Sequence, residues 1–281
     1  MTDERTYLLG MAPDEVRRLA QQHDAWRVQT ERVWDLAGID AGATVVDLGC
    51  GPGFTTLDLA RRVGPAGRVI AVDVSATALH ELTVAADRAG VENLVVVEGF
   101  EAEIDLGAYA PDVVFARWLY WFLPEADESV ARVAGALRPG ARFAVMDYCN
   151  YLGIGTEPRA PGFDRVFGAV YRSVIDAGGS LDIAGRLPAL FRAVGLRTTH
   201  VEPLDQVARP GEPVWEWVST FQRLHLPALV DRGYLAAGEL AAHEAWWMTL
   251  AGNPDAVFFA PPVLGVVGVK ECRGQGTEDR V

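Results

Sequence analysis

The sequence predicts an α/β protein: a doubly wound sheet of seven strands, with extra helices after the fifth and sixth. Three observations carry that prediction. From residue 43 to 149, short Val-rich apolar runs alternate with amphipathic stretches, the pattern of a parallel sheet covered on both faces. The first run, Val45-Val46-Asp47-Leu48, enters Gly49-Cys50-Gly51-Pro52-Gly53, where the lack of Cβ atoms lets the backbone approach a ligand. The second, Val69-Ile70-Ala71-Val72, ends on Asp73, a strand-terminal carboxylate placed to accept both hydroxyls of a ribose. A helix starting near Phe54 would aim free N–H groups at the same ligand. These residues describe a nucleoside site.

The elements follow in order. Residues 13–37 carry Val16, Leu19, Ala25, Trp26, Val33, Trp34 and Ala37 at helical spacing, and Gly38 stops that helix. Strands are expected near 43–48, 67–73, 94–98, 111–117 and 141–148, with helices near 54–63, 76–89 and 124–136. The second half departs from this alternation. Helices are expected over 160–178 and 182–194, then a strand near 197–207, then helices at 213–232 and 235–250. A final strand spans 256–269 in two pieces around Pro261-Pro262, before a solvated tail. The chain divides into a helical lid (1–40), a nucleoside-binding core (41–150), the rest of the sheet with inserted cap helices (151–270) and a flexible tail (271–281). Ligands of open α/β sheets bind beyond the strands' carboxyl ends. Helices roofing that crevice imply a small, enclosed substrate.

Composition narrows the classes. Half of the 281 residues are apolar and 22% are charged, as in a soluble globular protein. A net charge of −13 opposes a polyanionic partner, because nucleic-acid binding needs a basic track. No nucleic acid, no membrane surface and a cytoplasmic location are therefore expected, since Met1-Thr2-Asp3-Glu4-Arg5 is polar and no apolar run spans a bilayer. Cys50, Cys149 and Cys272 are too few and too scattered for a disulfide framework or a zinc site. Oligomeric state is not specified, and a homodimer is compatible with the sequence.

The glycine loop discriminates among nucleoside cofactors. The NAD fingerprint G-x-G-x-x-G/A needs a small third residue, but the frame from Gly49 meets Phe54 and the frame from Gly51 meets Thr56. The pattern that fits is D-x-G-x-G-x-G on Asp47, Gly49, Gly51 and Gly53. Its acid faces a cationic part of the ligand and would repel a pyrophosphate.

Over roughly residues 40–150 the chain resembles the class I S-adenosylmethionine-dependent methyltransferases, in the small-molecule branch similar to ubiquinone/menaquinone C-methyltransferases. The turn Leu137-Arg138-Pro139-Gly140 before the fifth strand is typical of that family. The resemblance implies a Rossmann-like sheet with an antiparallel last strand, and S-adenosylmethionine as cofactor. It implies that Asp47, Gly49, Cys50, Gly51 and Gly53 hold the methionine part, with Tyr7 and Arg117 near it. Asp73 and Val74 would take the ribose, and Gly99, Phe100 and Glu101 would flank the adenine. The family often has Asp directly after that glycine; here Phe100 intervenes and Glu101 follows.

Methyl transfer from a sulfonium is an in-line displacement with a good leaving group, so positioning and water exclusion dominate and no universal catalytic residue is expected. A base is needed only for an acceptor that is protonated at neutral pH. His23, Tyr120 and Tyr148 are the candidates, and Trp118, Trp121 and Tyr151 are expected at the acceptor. His225, His243 and Trp246-Trp247 fall in the roof, where packing suffices to explain the tryptophans. No Asn/Asp-Pro-Pro-Tyr motif follows the fourth strand, as it would in an amino-methyltransferase acting on DNA. Arg117 stands where a metal-dependent enzyme needs a carboxylate, so no metal is expected. The expected activity is methyl transfer to a small organic acceptor at oxygen, nitrogen or carbon. The alternatives are a non-methylating cyclase or isomerase on this fold, an NAD-dependent oxidoreductase, and a non-catalytic binding protein.

Overall fold

Valine-rich segments form the centre of a seven-stranded sheet. The structure, a computed structural model, describes residues 12–100 and 102–271. Its strands β1 (Thr44–Leu48), β2 (Arg68–Asp73), β3 (Leu94–Glu98), β4 (Val113–Arg117) and β5 (Arg142–Tyr148) are mutually parallel. Beside β5 lies β10 (Val263–Lys270), antiparallel to it and to the edge strand β7 (Leu196–Pro203). The order β3-β2-β1-β4-β5-β10-β7 reverses between β1 and β4, and that switch point opens a crevice at the strands' carboxyl ends. The α/β, Rossmann-like class with an antiparallel last strand is the observed one.

Alternate residues of each strand face opposite layers. Val45, Val113, Phe115 and Met146 pack against α2 (Arg27–Ala37) and α3 (Phe54–Val63). Val46, Val114, Phe143 and Val145 pack against α5 (Ala126–Ala136) and α7 (Ile183–Ala193). Leu79 and Leu82 of α4 (Ala76–Ala89) cover Ala71 and Cys50. The cap consists of α6 (Phe163–Asp176), α8 (Pro213–Asp231) and α9 (Ala237–Ala251), with α1 (Pro13–Ala25) lying against α8. Pro13 and Pro213 open their helices at positions where no intrahelical N–H is required. The first apolar layer runs without a break from Val45 through Trp26 to Trp215, Phe163 and Phe258 in the cap. No helix among the described residues is long and apolar enough to cross a membrane.

Three expectations need correction. The helix expected over 13–37 is two helices, broken at Trp26, whose backbone leaves helical geometry (φ −112°, ψ 12°). That break buries the indole completely, edge-on to Trp118 and Trp217 at 5.4 and 5.7 Å. The last strand's two pieces belong to different sheets: β9 (Val257–Phe259) pairs with β6 (Gly155–Glu157) and β8 (Val207–Ala208) in a small three-stranded sheet. Pro261-Pro262, which lack N–H donors, separate β9 from β10. The strand expected over 197–207 likewise ends at Pro203, and Val207 joins the second sheet.

Candidate functional site

The loop between β1 and α3 is latched to the end of β2. Gly49 N and Cys50 N donate to Val72 O at 2.8 and 3.0 Å, and Gly51 N donates to Asp73 Oδ2 at 2.8 Å. Ser75 N donates to Asp73 Oδ1 at 2.9 Å, and Gly99 N to Asp73 O at 3.0 Å, so β3 is drawn into the same knot. Burial raises the Asp73 carboxyl above its ordinary value, although three backbone N–H groups oppose the shift. The glycines do different work. Gly51 (φ 53°) has open space where a Cβ would stand, so its bare backbone faces the cavity. At Gly53 (φ 83°) a Cβ would collide with Leu82 Cδ1, which makes it a packing glycine.

Asp47 is the penultimate residue of β1, just before the loop. It is 2% exposed and accepts from Thr56 Oγ1 at 2.6 Å. Burial pushes its carboxyl up to about 6, against the Thr56 hydrogen bond and the positive charge of Arg117. Arg117 terminates β4 and is itself enclosed, and burial lowers its guanidinium to about 10. Nη1 of Arg117 donates to Thr30 Oγ1 at 3.0 Å and Nη2 lies 3.3 Å from His23 Nδ1, while the guanidinium carbon sits 5.1 Å from the centre of the Trp118 ring. Among the described residues no carboxylate is within ion-pair distance of it. Next along the chain, Trp118 holds φ 50°, a left-handed backbone that costs a non-glycine residue about 1–3 kcal/mol. The turn directs its indole into the wall of the crevice.

These groups border a cavity of about 1040 Å³. A pocket for one drug-sized ligand spans about 300–1,000 Å³, so there is room for two molecules side by side. One end is lined by Asp47, Gly49, Cys50, Gly51, Asp73 and Val74, with Gly99, Phe100 and Arg117 completing it. The other is lined by Trp118, Trp121, Tyr148 and Tyr151 and by the cap residues Val174, Leu181, Phe221 and Leu229. Burial raises the Tyr151 phenol, which keeps it protonated at neutral pH.

The structure does not bring every expected residue to this cavity. Gly53 does not line it, for the packing reason given. Tyr120 turns the opposite way, fully buried against Phe143, with its hydroxyl 3.1 Å from Ser129 Oγ. His23 is buried behind the wall, with both ring nitrogens engaged. Asp147 is fully buried and accepts from the backbone N–H groups of Tyr120, Trp121 and Tyr148, so it pins the loop and does not line the cavity. His243, bonded to Gln222, and Trp247, stacked 4.4 Å from Trp215, lie in the cap core. Tyr7 and Glu101 fall outside the described residues.

Sequence reasoning missed the polar seam between α1 and α8. Glu15 Oε2 accepts from Arg18 Nε and meets His225 Nε2, both at 2.9 Å, and Gln22 Oε1 accepts from Arg18 Nη1 and Trp217 Nε1 at 2.6 and 3.2 Å. Burial alone would raise the Glu15 carboxyl, but the His225 and Arg18 hydrogen bonds hold it below its ordinary value. Arg18, Gln22, Trp217 and His225 all reach the cavity. The signal was the spacing Glu15, Arg18, Gln22, a polar stripe on one helical face, which reads equally as a solvated surface.

Comparison with known proteins agrees with this geometry. Residues 45–140 match the family described as a methyltransferase domain. The chain is 33% identical over 223 residues to the trans-aconitate 2-methyltransferase of Azoarcus sp. (strain BH72), covering 74% of this chain and 78% of that protein. It is 26% identical over 156 residues to the demethylmenaquinone methyltransferase of Lactococcus lactis subsp. lactis, covering 55% and 58%. Among solved structures it resembles the geranyl diphosphate C-methyltransferase of Streptomyces coelicolor A3(2), with TM-score 0.56 and 16% identity over 92% of this chain and 85% of that one. That last likeness concerns the fold.

Proposed function

The chain belongs to the class I S-adenosylmethionine-dependent methyltransferases that act on small molecules, and from that premise we propose how it seats its cofactor and which acceptor it takes. The residues present fit the cofactor. A bare glycine backbone faces the cavity at Gly51, and the enclosed Arg117 cation has no carboxylate partner among the described residues. In this reading Asp73 accepts the ribose hydroxyls, Arg117 faces the methionine carboxylate, and Asp47 answers the positive charge of the ammonium. When bound, the cofactor supplies a methyl group on a sulfonium, displaced in line with a thioether as leaving group.

The acceptor is an apolar small molecule seated against Trp118, Trp121, Tyr148 and Phe221. One observation carries this: the cavity continues from the glycine loop into a wall of aromatic and aliphatic side chains under the cap. Of the arginines lining that wall, Arg18 pairs with Glu15 and Arg132 with Glu128, while Arg232 lies over the Tyr234 ring. The protein contributes orientation and exclusion of water, with Tyr148 among the side chains that border the acceptor end. The net charge of −13 supports a non-nucleic-acid substrate. The test is transfer of isotopically labelled methyl groups to a panel of apolar phenols, apolar amines and polycarboxylates. Label in the apolar compounds is expected. Label confined to polycarboxylates would overturn the acceptor assignment.

A further inference from the structure

The geometry points to His23 as the residue that positions Arg117 for the cofactor's carboxylate, with Asp58 fixing the orientation of the imidazole. This rests on the proposed seating of that carboxylate on Arg117.

The bonds around His23 admit one arrangement of hydrogens. A guanidinium only donates, so the nitrogen facing Arg117 Nη2, His23 Nδ1 at 3.3 Å, carries a lone pair. The hydrogen then sits on Nε2, which donates to Asp58 Oδ2 at 3.0 Å. Asp58 lies in the first turns of α3 and also pairs with Arg27 and Arg61. Its acceptor role is therefore secured, and the ring is locked in that tautomer. His23 also stacks on Phe54, with centroids 6.1 Å apart, and Phe54 borders the cavity.

The cradle is neutral. Both side-chain acceptors on the guanidinium, Thr30 Oγ1 and His23 Nδ1, orient it without cancelling its charge. A carboxylate in either place would hold the group equally well but would compete with the ligand's own carboxylate. Asp58 is kept one imidazole away, and Asp47, whose charge is felt at Arg117, makes no ion pair with it, so the guanidinium keeps its charge for the cavity. His23 thus acts through Arg117 and touches no reacting atom.

The experiment compares the binding of S-adenosylhomocysteine with that of its decarboxylated analogue, which keeps the ammonium group, by isothermal titration on the full chain. For Arg117→Gln, homocysteine-ligand affinity should fall roughly 10–100-fold, the range of a lost charge-assisted hydrogen bond, with the analogue unchanged. His23→Phe should lower affinity for the carboxylate ligand about 5–10-fold, again sparing the analogue, which also certifies the fold. His23→Gln, whose amide can accept from Arg117 and donate to Asp58, should restore most of that loss. If Arg117→Gln spares both ligands, the seating of the carboxylate fails, and the relay with it. If Arg117→Gln is selective but His23→Phe is not, only the positioning role is overturned. Equal weakening of both ligands by His23→Phe would also overturn it, as a packing effect.

Discussion

The two ends of the cavity are built from different materials. At the glycine-loop end the surface includes bare main chain at Gly51, in a loop knotted to Asp73 by hydrogen bonds from Gly51 and Ser75. At the cap end it is side chain, with indole, phenyl and aliphatic groups from the turn after β4 and from β5, α6 and α8. Main chain cannot be altered by a single substitution, whereas a side chain can. The first end therefore suits a ligand that never changes, and the second suits one that differs between relatives.

Mutations that separate the two ends test this contrast. The largest effect is expected at Phe258, fully buried in the cap core. Phe258→Ala should reduce stability by about 3–5 kcal/mol, measured by denaturant unfolding. A single transition is expected, because the apolar layer is continuous between cap and sheet. Two transitions would show that the ends fold separately. Asp73→Asn comes next, and should weaken S-adenosylhomocysteine binding by about 1–3 kcal/mol in calorimetric titration. Unchanged affinity would remove the ribose from that carboxylate.

Acidity probes the same end. The Asp47 carboxyl lies at about 6 because burial disfavours its charge, so it is mostly ionised above that pH and protonated below. A positively charged ligand group favours the ionised form, and affinity should be flat above pH 6 and fall as the pH drops below it, by about 1.4 kcal/mol per unit at most. A flat profile from pH 5 to 8 would separate Asp47 from the ligand's charge. Gly51→Ala tests the turn itself. With φ at 53° the added methyl should cost about 1–2 kcal/mol of stability and narrow the approach to the loop. A rise in thermal midpoint would mean that the turn does not need glycine there.

The same contrast explains what the sequence disclosed. Strands expected near 43–48 and 94–98 occur at Thr44–Leu48 and Leu94–Glu98, because short apolar runs between turns are local signals. The loop from Gly49 to Gly51 and Asp73 meet in one crevice for the same reason: backbone and strand ends follow from sequence spacing. The cap was less legible. Whether Tyr120 faces the cavity or Ser129 depends on one short turn pinned by Asp147, 27 residues away. The break at Trp26 depends on Trp118 and Trp217, and Glu15 becomes a buried ion only when α8 brings His225 to it. Such contacts have no signature in the local periodicity.

The neutral cradle around Arg117 also bears on how long the protein lasts. A buried guanidinium without a counter-ion is a standing burden on the empty fold. A ligand that balances it binds the folded chain and not the unfolded one, and at a hundred times its dissociation constant adds about 2.7 kcal/mol of protection. Resistance to heat and to proteolysis should therefore rise with the supply of such a ligand.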